Sequence, residues 1–381
     1  MAAHAWVLAA VLLLDGSSKF LPRRNLQENR PPSRYTQTPK RPQEPKPPFP
    51  YLEERVSYVN PDAAGVVLGG TFTKPNQSGR FPAVLLITGP GPQDRDETIA
   101  GHKPFLVLAD YLTRRDIAVL RVDDRGTASS TGNFGKSTTL DFAADAEAGV
   151  RYLLTRKDVD LKRIGLIGHS EGSIVAAMVA ARMPEVSFIV MLAGIGVPGE
   201  QVLLTQREHA ERAAHMPEGQ IAADKNIATM VYEMVREGKR ASDLRRALSK
   251  RPASERDLVR PWLDQADQLT APWLRFFLSY DPGPALEKVK CPVLALAGAQ
   301  DMDVIADQNV PAMKAAFGRA GNHDVTIEVL PRLNYLFQTA DTGLAMEYAT
   351  IPETMSPVAL DAIGTWIAKH IAPTDSQTQP E

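Results

Sequence analysis

The sequence holds a single cysteine, Cys291. A lone thiol excludes an intrachain disulfide and any zinc site built on paired cysteines. At the head of the apolar run CPVLALAG it reads as a buried structural group. Positive charge is not in excess either: 43 Lys and Arg stand against 45 Asp and Glu, a formal net charge of −2. With no basic field and no Lys/Arg run, the chain lacks the electrostatic footprint of a nucleic-acid binder. No apolar run reaches the roughly 20 residues that a membrane-spanning helix needs, so no stable membrane insertion is expected. The short apolar stretch AWVLAAVLLL (5–14), followed by DGSS, instead reads as the core of a signal peptide over 1–18. It has no Lys or Arg in front of it. The expectation is a secreted or periplasmic protein.

What is present is 44% hydrophobic and 23% charged, the composition of an ordinary globular chain. Residues 19–50 are crowded with proline and predict a linker or surface strap. From Tyr51 two strands, ERVSYVN and AGVVLGGTFTK, flank a turn. Apolar strands then alternate with amphipathic helices: strands at 83–88, 117–122, 163–168, 187–194, 292–298 and 325–330, helices at 105–115, 140–156, 173–183, 307–319 and 357–371. Such alternation implies an α/β architecture, a mostly parallel sheet covered on both faces. Between Pro198 and Lys290 it stops, and Arg/Glu/Ala-rich helical spacing takes over. This predicts a core of 51–197 and 289–372 interrupted by a helical cap over 198–288. Residues 373–381 read as a polar, disordered tail.

The chemistry centres on GHSEG (168–172), reached by an apolar strand and left by a helix. G-x-S-x-G in that context is a nucleophile elbow, with Ser170 on a strained turn and the N–H of Glu171 aimed at a developing oxyanion. The acid of a Ser…Asp…His order belongs just past a later strand, where LALAGAQDMDV places Asp301, with Asp303 as its competitor. TGPGPQDRDE (88–97) follows another strand and is positioned to supply a second oxyanion N–H, from Gly89 or Gly91. Its carboxylates, with those of DDRG (123–126), are interleaved with Arg95 and Arg125. They read as salt-bridged scaffolding, not as a metal site.

These motifs together resemble the α/β-hydrolase fold, and within it a group of bacterial, often exported, serine carboxylesterases and acyl hydrolases. That group carries TGSGPQDRDE, DDRG, GHSEGG and LPGLNHLFQ. The likeness runs from Arg41 to Ala372 and includes GHKPF, FLSYDP and ETMSP. It implies a cofactor-free hydrolase of small-molecule acyl esters working through an acyl-serine. Three positions depart from the pattern. Ser173 stands where Gly is usual, Pro90 where Ser is usual, and Tyr335 where the catalytic histidine falls. Pro90 has no N–H to give an oxyanion, and a phenol with a pKa of about 10 is a poor base at neutral pH.

The remaining histidines do not obviously replace it. His169 is expected to point away from Ser170. His323 precedes a strand and belongs at the opposite sheet edge, His102 lies in a loop, and His209 and His215 lie in the cap. The expectation is therefore an esterase of reduced activity. The competing readings are a non-catalytic binding protein on the same fold, or a thioesterase or peptidase using the same serine.

Overall fold

The computed structural model describes residues 40–372. The expected signal peptide, the first part of the proline-rich segment and the expected tail lie outside the described residues. Residues 40–50 form a strap on the surface of the core. Arg41 donates to the carbonyls of Ile351 and Ala349, and Gln43 bonds the backbone of Thr354 and Met355. Proline denies this segment a ladder or helix, so side chains fasten it.

One sheet organises the chain. Its strands are β1 (Tyr51–Val59), β2 (Val67–Pro75), β3 (Phe81–Ile87), β4 (Ala118–Val122), β5 (Val159–His169), β6 (Val186–Leu192), β7 (Val293–Gly298) and β8 (Val325–Leu330). Their spatial order is β1-β2-β4-β3-β5-β6-β7-β8. β1–β2 and β2–β4 pair antiparallel, and every later pair is parallel. Parallel pairing needs crossovers, and these are helices. α1 (Pro104–Thr113), α2 (Thr139–Thr155) and α3 (Glu171–Ala180) follow β3, β4 and β5.

Between β6 and β7 the chain makes α4 (Gly199–Ala213), α5 (Glu218–Arg236), α6 (Ala241–Leu248), α7 (Arg256–Asp264), α8 (Ala266–Leu269), α9 (Pro272–Ser279) and α10 (Gly283–Leu286). α11 (Ala306–Arg319) separates β7 from β8, and α12 (Ala345–Tyr348) and α13 (Pro357–Ile371) complete the fold. α1 and α13 pack together on one face of the sheet, while α2, α3 and α11 cover the other. Central strands read as unbroken apolar runs because both faces are covered. Leu166 and Ile167 in β5, and Ile189 to Met191 in β6, are fully buried.

The inserted helices continue the buried core beyond the sheet. Trp262 is buried, donates from Nε1 to Asp224 Oδ1 at 3.3 Å, and lies under the Arg207 guanidinium, 4.5 Å from its ring centroid. Arg207 also pairs with Asp224 and Glu211. Burial and the neighbouring Asp224 push the Glu211 carboxyl up to about 9. The Arg207–Asp224 pair and Trp262 thus tie α4, α5 and α7 to one another.

Candidate active site

All parallel strands point one way, so their carboxyl ends gather at one sheet edge, and the loops leaving them meet there. β5 delivers Ser170. Its backbone sits at φ 53°, ψ −114°, a region that L-residues rarely adopt. Glycine makes the turn possible. A Cβ on Gly172 would stand 2.2 Å from the Ile87 carbonyl oxygen, and one on Gly168 would stand 2.0 Å from that of Gly172. Ser173 ties the turn down, donating to the Ser170 carbonyl at 2.6 Å while accepting from Ile195 N–H. The departure from glycine at that position is therefore accommodated as an added brace.

Ser170 opens into a cavity of about 240 Å³. Its walls include Pro90 and Ile99 from the loop after β3, Val202 and Leu203 from α4, and Trp273 and Phe277 from α9. The inserted helices thus stand over the serine. The polar lining is Ser170, Glu171, Gln206, Asp303, Tyr335 and Tyr348, with no Lys, Arg or His among the described residues. The bonds that fasten the insertion to this edge include Trp273 Nε1 donating to Glu171 Oε1 at 2.8 Å, Gln206 Nε2 donating to Asp303 Oδ1, and Gln308 Nε2 donating to Thr205 Oγ1 at 2.8 Å.

Asp301, read from sequence as the acid, is buried just past β7. Its Oδ1 accepts from the N–H groups of Asp303 and Val304, both at 2.8 Å. Its Oδ2 has no partner. Burial, with the nearby Asp303 carboxyl, pushes Asp301 up to about 8. A buried carboxylate oxygen without a donor is an exception in native structures. Asp303, the competitor, lines the cavity and is fully occupied by Gln206 and by Tyr348 Oη at 2.8 Å.

Tyr335 does lie beside the serine. Its phenol is buried, and Tyr335 and Ser170 line the same cavity. Burial drives that phenol well above its usual range, with Asp303 and Glu97 adding to the effect.

No described histidine compensates. His169 turns away from the cavity, as expected: Nδ1 lies 2.9 Å from Glu97 Oε1 and Nε2 lies 3.0 Å from the Tyr335 carbonyl oxygen. A carbonyl and a carboxylate only accept, so both ring nitrogens must carry protons. Burial alone would discourage the charged ring, but Glu97 outweighs it and raises the His169 pKa. His102 is enclosed by Thr354, Tyr348 and Gln338, and burial lowers its pKa. His323 is exposed ahead of β8, at the amino edge of the parallel sheet. His209 and His215 are not among the residues that line the cavity.

The oxyanion donors need correcting. The N–H of Gly89 points at Glu97 Oε1, 2.7 Å away, and is committed to that carboxylate. Pro90 reaches the cavity, with Ile99 and Ala100 further along the loop, and it has no N–H; Gly91 is not among the lining residues. Glu171 is the expected donor that remains at the cavity beside Ser170, at the first position of α3, where helix N–H groups are unpaired. Sequence reasoning missed Glu97 as the pivot of this loop. Its signal was a carboxylate in a glycine- and proline-rich loop, eight residues after Gly89.

The other acidic residues of the two loops are scaffolding. Arg95 forks onto Asp123, Arg121 pairs with Asp96, and Arg125 grips Asp141 and Asp145. Asp124 holds the oxyanion-side loop by accepting from Thr88 Oγ1 and Gln93 N–H.

Comparison with known proteins agrees with this architecture. The family described as X-Pro dipeptidyl-peptidase (S15 family) matches residues 64–326. The chain is 27% identical over 305 residues to Esterase EstD of Thermotoga maritima, covering 79% of this chain and 66% of that protein. An uncharacterised protein of Mycobacterium tuberculosis is 31% identical over 167 residues, 40% of this chain and 55% of its own length. The chain thus spans less than two thirds of either relative. Among solved structures, the α/β-hydrolase GrgF from a Penicillium species superposes with a TM-score of 0.53 at 16% identity, over 84% of this chain and 99% of its own. The 2,6-dihydroxy-pseudo-oxynicotine hydrolase gives 0.51 at 15% identity, over 84% and 68%. At such identities the likeness is one of fold.

Proposed function

Because the chain belongs to the X-Pro dipeptidyl-peptidase (S15) family of α/β-hydrolases, we propose that it is a serine hydrolase of short-chain carboxylic esters. It works through an acyl-Ser170 intermediate, at a rate held down by Tyr335. The observation that carries this reading is Ser170 on a strained elbow that opens into an enclosed, mostly apolar cavity. Strain at a site that glycines alone accommodate is retained where the serine has a task. The esterase relative supports the ester class, and an apolar cavity of about 240 Å³ suits a small acyl group.

In the proposed reaction, Ser170 Oγ attacks the ester carbonyl and the Glu171 N–H bears the oxyanion. The ester C–O bond then breaks and the serine's proton leaves on the departing alcohol; with no imidazole to relay that proton and Gly89 turned aside, acylation is slow. Missing a triad base costs such enzymes about 10⁴ to 10⁶ in turnover, with binding and oxyanion contacts supplying what remains.

A second reading is favoured by one specific observation. Asp301 Oδ2 is unpartnered and the phenol fills the base position, so the same cavity would serve a protein that binds an ester without cleaving it.

A panel of p-nitrophenyl acyl esters, acyl-coenzyme A thioesters and an X-Pro dipeptide anilide, run against the chain and Ser170→Ala, separates these readings. Slow ester cleavage that vanishes in the variant is expected. Cleavage confined to thioester or anilide moves the substrate class. Identical background rates in both proteins favour binding.

A further inference from the structure

Glu171 follows the nucleophile directly, yet its side chain does more than close the elbow. It is buried, with 2% of its surface exposed, and one of its oxygens is fully engaged. Oε1 accepts from Thr139 Oγ1 of α2 at 2.6 Å and from Trp273 Nε1 of α9 at 2.8 Å. Those two donors fix the orientation of the carboxyl plane. Oε2 has no hydrogen-bond partner among the described residues. Glu171 also lines two cavities at once. One is the cavity of about 240 Å³ shared with Ser170. The other, of about 50 Å³, lies under the loop after β3 and is bounded by Thr88, Gly89, Asp124 and Asp145. A polar cavity needs only roughly 10–15 Å³ of such space to hold a water.

We propose that Glu171 is the base for the second half-reaction, taking a proton from a water drawn from the small cavity so that the water attacks the acyl-Ser170 carbonyl. This rests on the serine-hydrolase reading above. The water oxygen bonds to the acyl carbon as its proton passes to Oε2. The tetrahedral intermediate then collapses, the C–Oγ bond breaks, and the Glu171 carboxyl returns its proton to Ser170 Oγ. Acid product and free serine result, with no other reactant.

No other cavity carboxyl is placed for this. Both oxygens of Asp303 already accept hydrogen bonds, and Asp301 is not among the residues that line the cavity. The groups around Glu171 are Asp123, Asp124, Asp145 and Tyr58 of the small cavity, with Asp303, Tyr335 and Tyr348 of the large one. None is cationic. Burial, resisted by the Thr139 and Trp273 bonds, pushes the Glu171 carboxyl up to about 7, where a base works best near neutral pH.

The test follows acylation and deacylation separately. The full chain is mixed with p-nitrophenyl acetate, and the acetyl adduct on Ser170 is quantified by mass spectrometry over time and pH. In the parent, an adduct forms slowly and clears with a rate that rises through one ionisation near neutrality. In Glu171→Gln the adduct forms but persists at least about 100-fold longer, the lower end of what a general base supplies, and the ionisation is gone. Trp273→Phe keeps the carboxyl while removing a donor to it, so clearance survives with its pH midpoint moved upward. The proposal is overturned if Glu171→Gln clears the adduct as the parent does. It is equally overturned if Trp273→Phe slows clearance as much as Glu171→Gln at every pH, because the carboxyl then only holds the cap. If neither the parent nor Glu171→Gln ever forms an adduct, the serine-hydrolase reading falls and takes this inference with it.

Discussion

His169 and Tyr335 are locked together: the imidazole Nε2 donates to the Tyr335 carbonyl at 3.0 Å, and the two rings lie 4.4 Å apart. The residue preceding Ser170 therefore orients the segment that carries Tyr335. Through Nδ1 the same ring reaches Glu97, which in turn holds the Gly89 N–H. The loop after β3, the end of β5 and the segment after β8 are thereby joined through the His169–Glu97 pair. The histidine closest in sequence to Ser170 is spent on structure and is not a substitute base.

Restoring the missing imidazole should restore chemistry. Tyr335→His places a smaller ring where the phenol stands, beside Ser170 and near an Asp301 oxygen that has no partner. Turnover of p-nitrophenyl acetate or butyrate is expected to rise at least about 100-fold, part of the loss attributed to an absent base. A fast parent that this substitution slows would mean that another base operates, and alanine variants of His102, His209 and His215 would then be measured.

Asp301 should be a liability in the chain as it stands. Its folded-state pKa of about 8 exceeds the unfolded value of about 3.9. Folding thus favours the protonated form, and stability is lost as pH rises from the unfolded pKa through the folded one. Asp301→Asn keeps the acceptor for Asp303 and Val304 and removes the charge. It should stabilise the protein by about 1–3 kcal/mol at pH 8, the cost of a buried unsatisfied polar group, and by less at pH 5. Urea midpoints at the two pH values measure this. In a Tyr335→His background the same change should cut turnover at least about tenfold, because the imidazole then needs that carboxylate.

Glu97→Gln should destabilise the protein, and most at low pH. The His169 pKa is raised in the fold, where Glu97 overcomes the effect of burial, so the pair's stabilisation is complete below the unfolded histidine pKa of about 6.5. It is lost as pH climbs through the folded value. Removing the carboxylate leaves a buried ring that must stay neutral, a defect of about 3–5 kcal/mol for a broken buried pair. The loss should be largest at pH 6 and shrink toward pH 9. Thermal melts across that range test it, and a pH-independent loss would mean that the pair is not ionic.

Export is tested at the N-terminus. Produced in a bacterium with residues 1–18 intact, the protein is expected to lose them and to leave the cytoplasm. Intact mass of the soluble fraction decides: a chain retaining Met1 or Ala2 in the cytoplasm refutes it.

Local pattern was enough for the frame. Unbroken apolar strands alternating with amphipathic helices require a parallel sheet covered on both faces, and β8 (Val325–Leu330) and α13 (Pro357–Ile371) coincide with the segments read from sequence. GHSEG after a strand placed Ser170 on a turn that glycine must permit, because the clash at Gly172 is with backbone and belongs to the motif itself. The partners of each polar group were decided only by tertiary structure. Glu97 and Gly89 are eight residues apart, while Glu97 lies in the loop after β3, His169 ends β5 and Tyr335 follows β8. No periodicity links them. The same holds for Trp273, which reaches Glu171 from the inserted helices across 102 positions. A sequence displays which groups can donate or accept; burial at one sheet edge determines which of them must find each other, and leaves Asp301 Oδ2 with none.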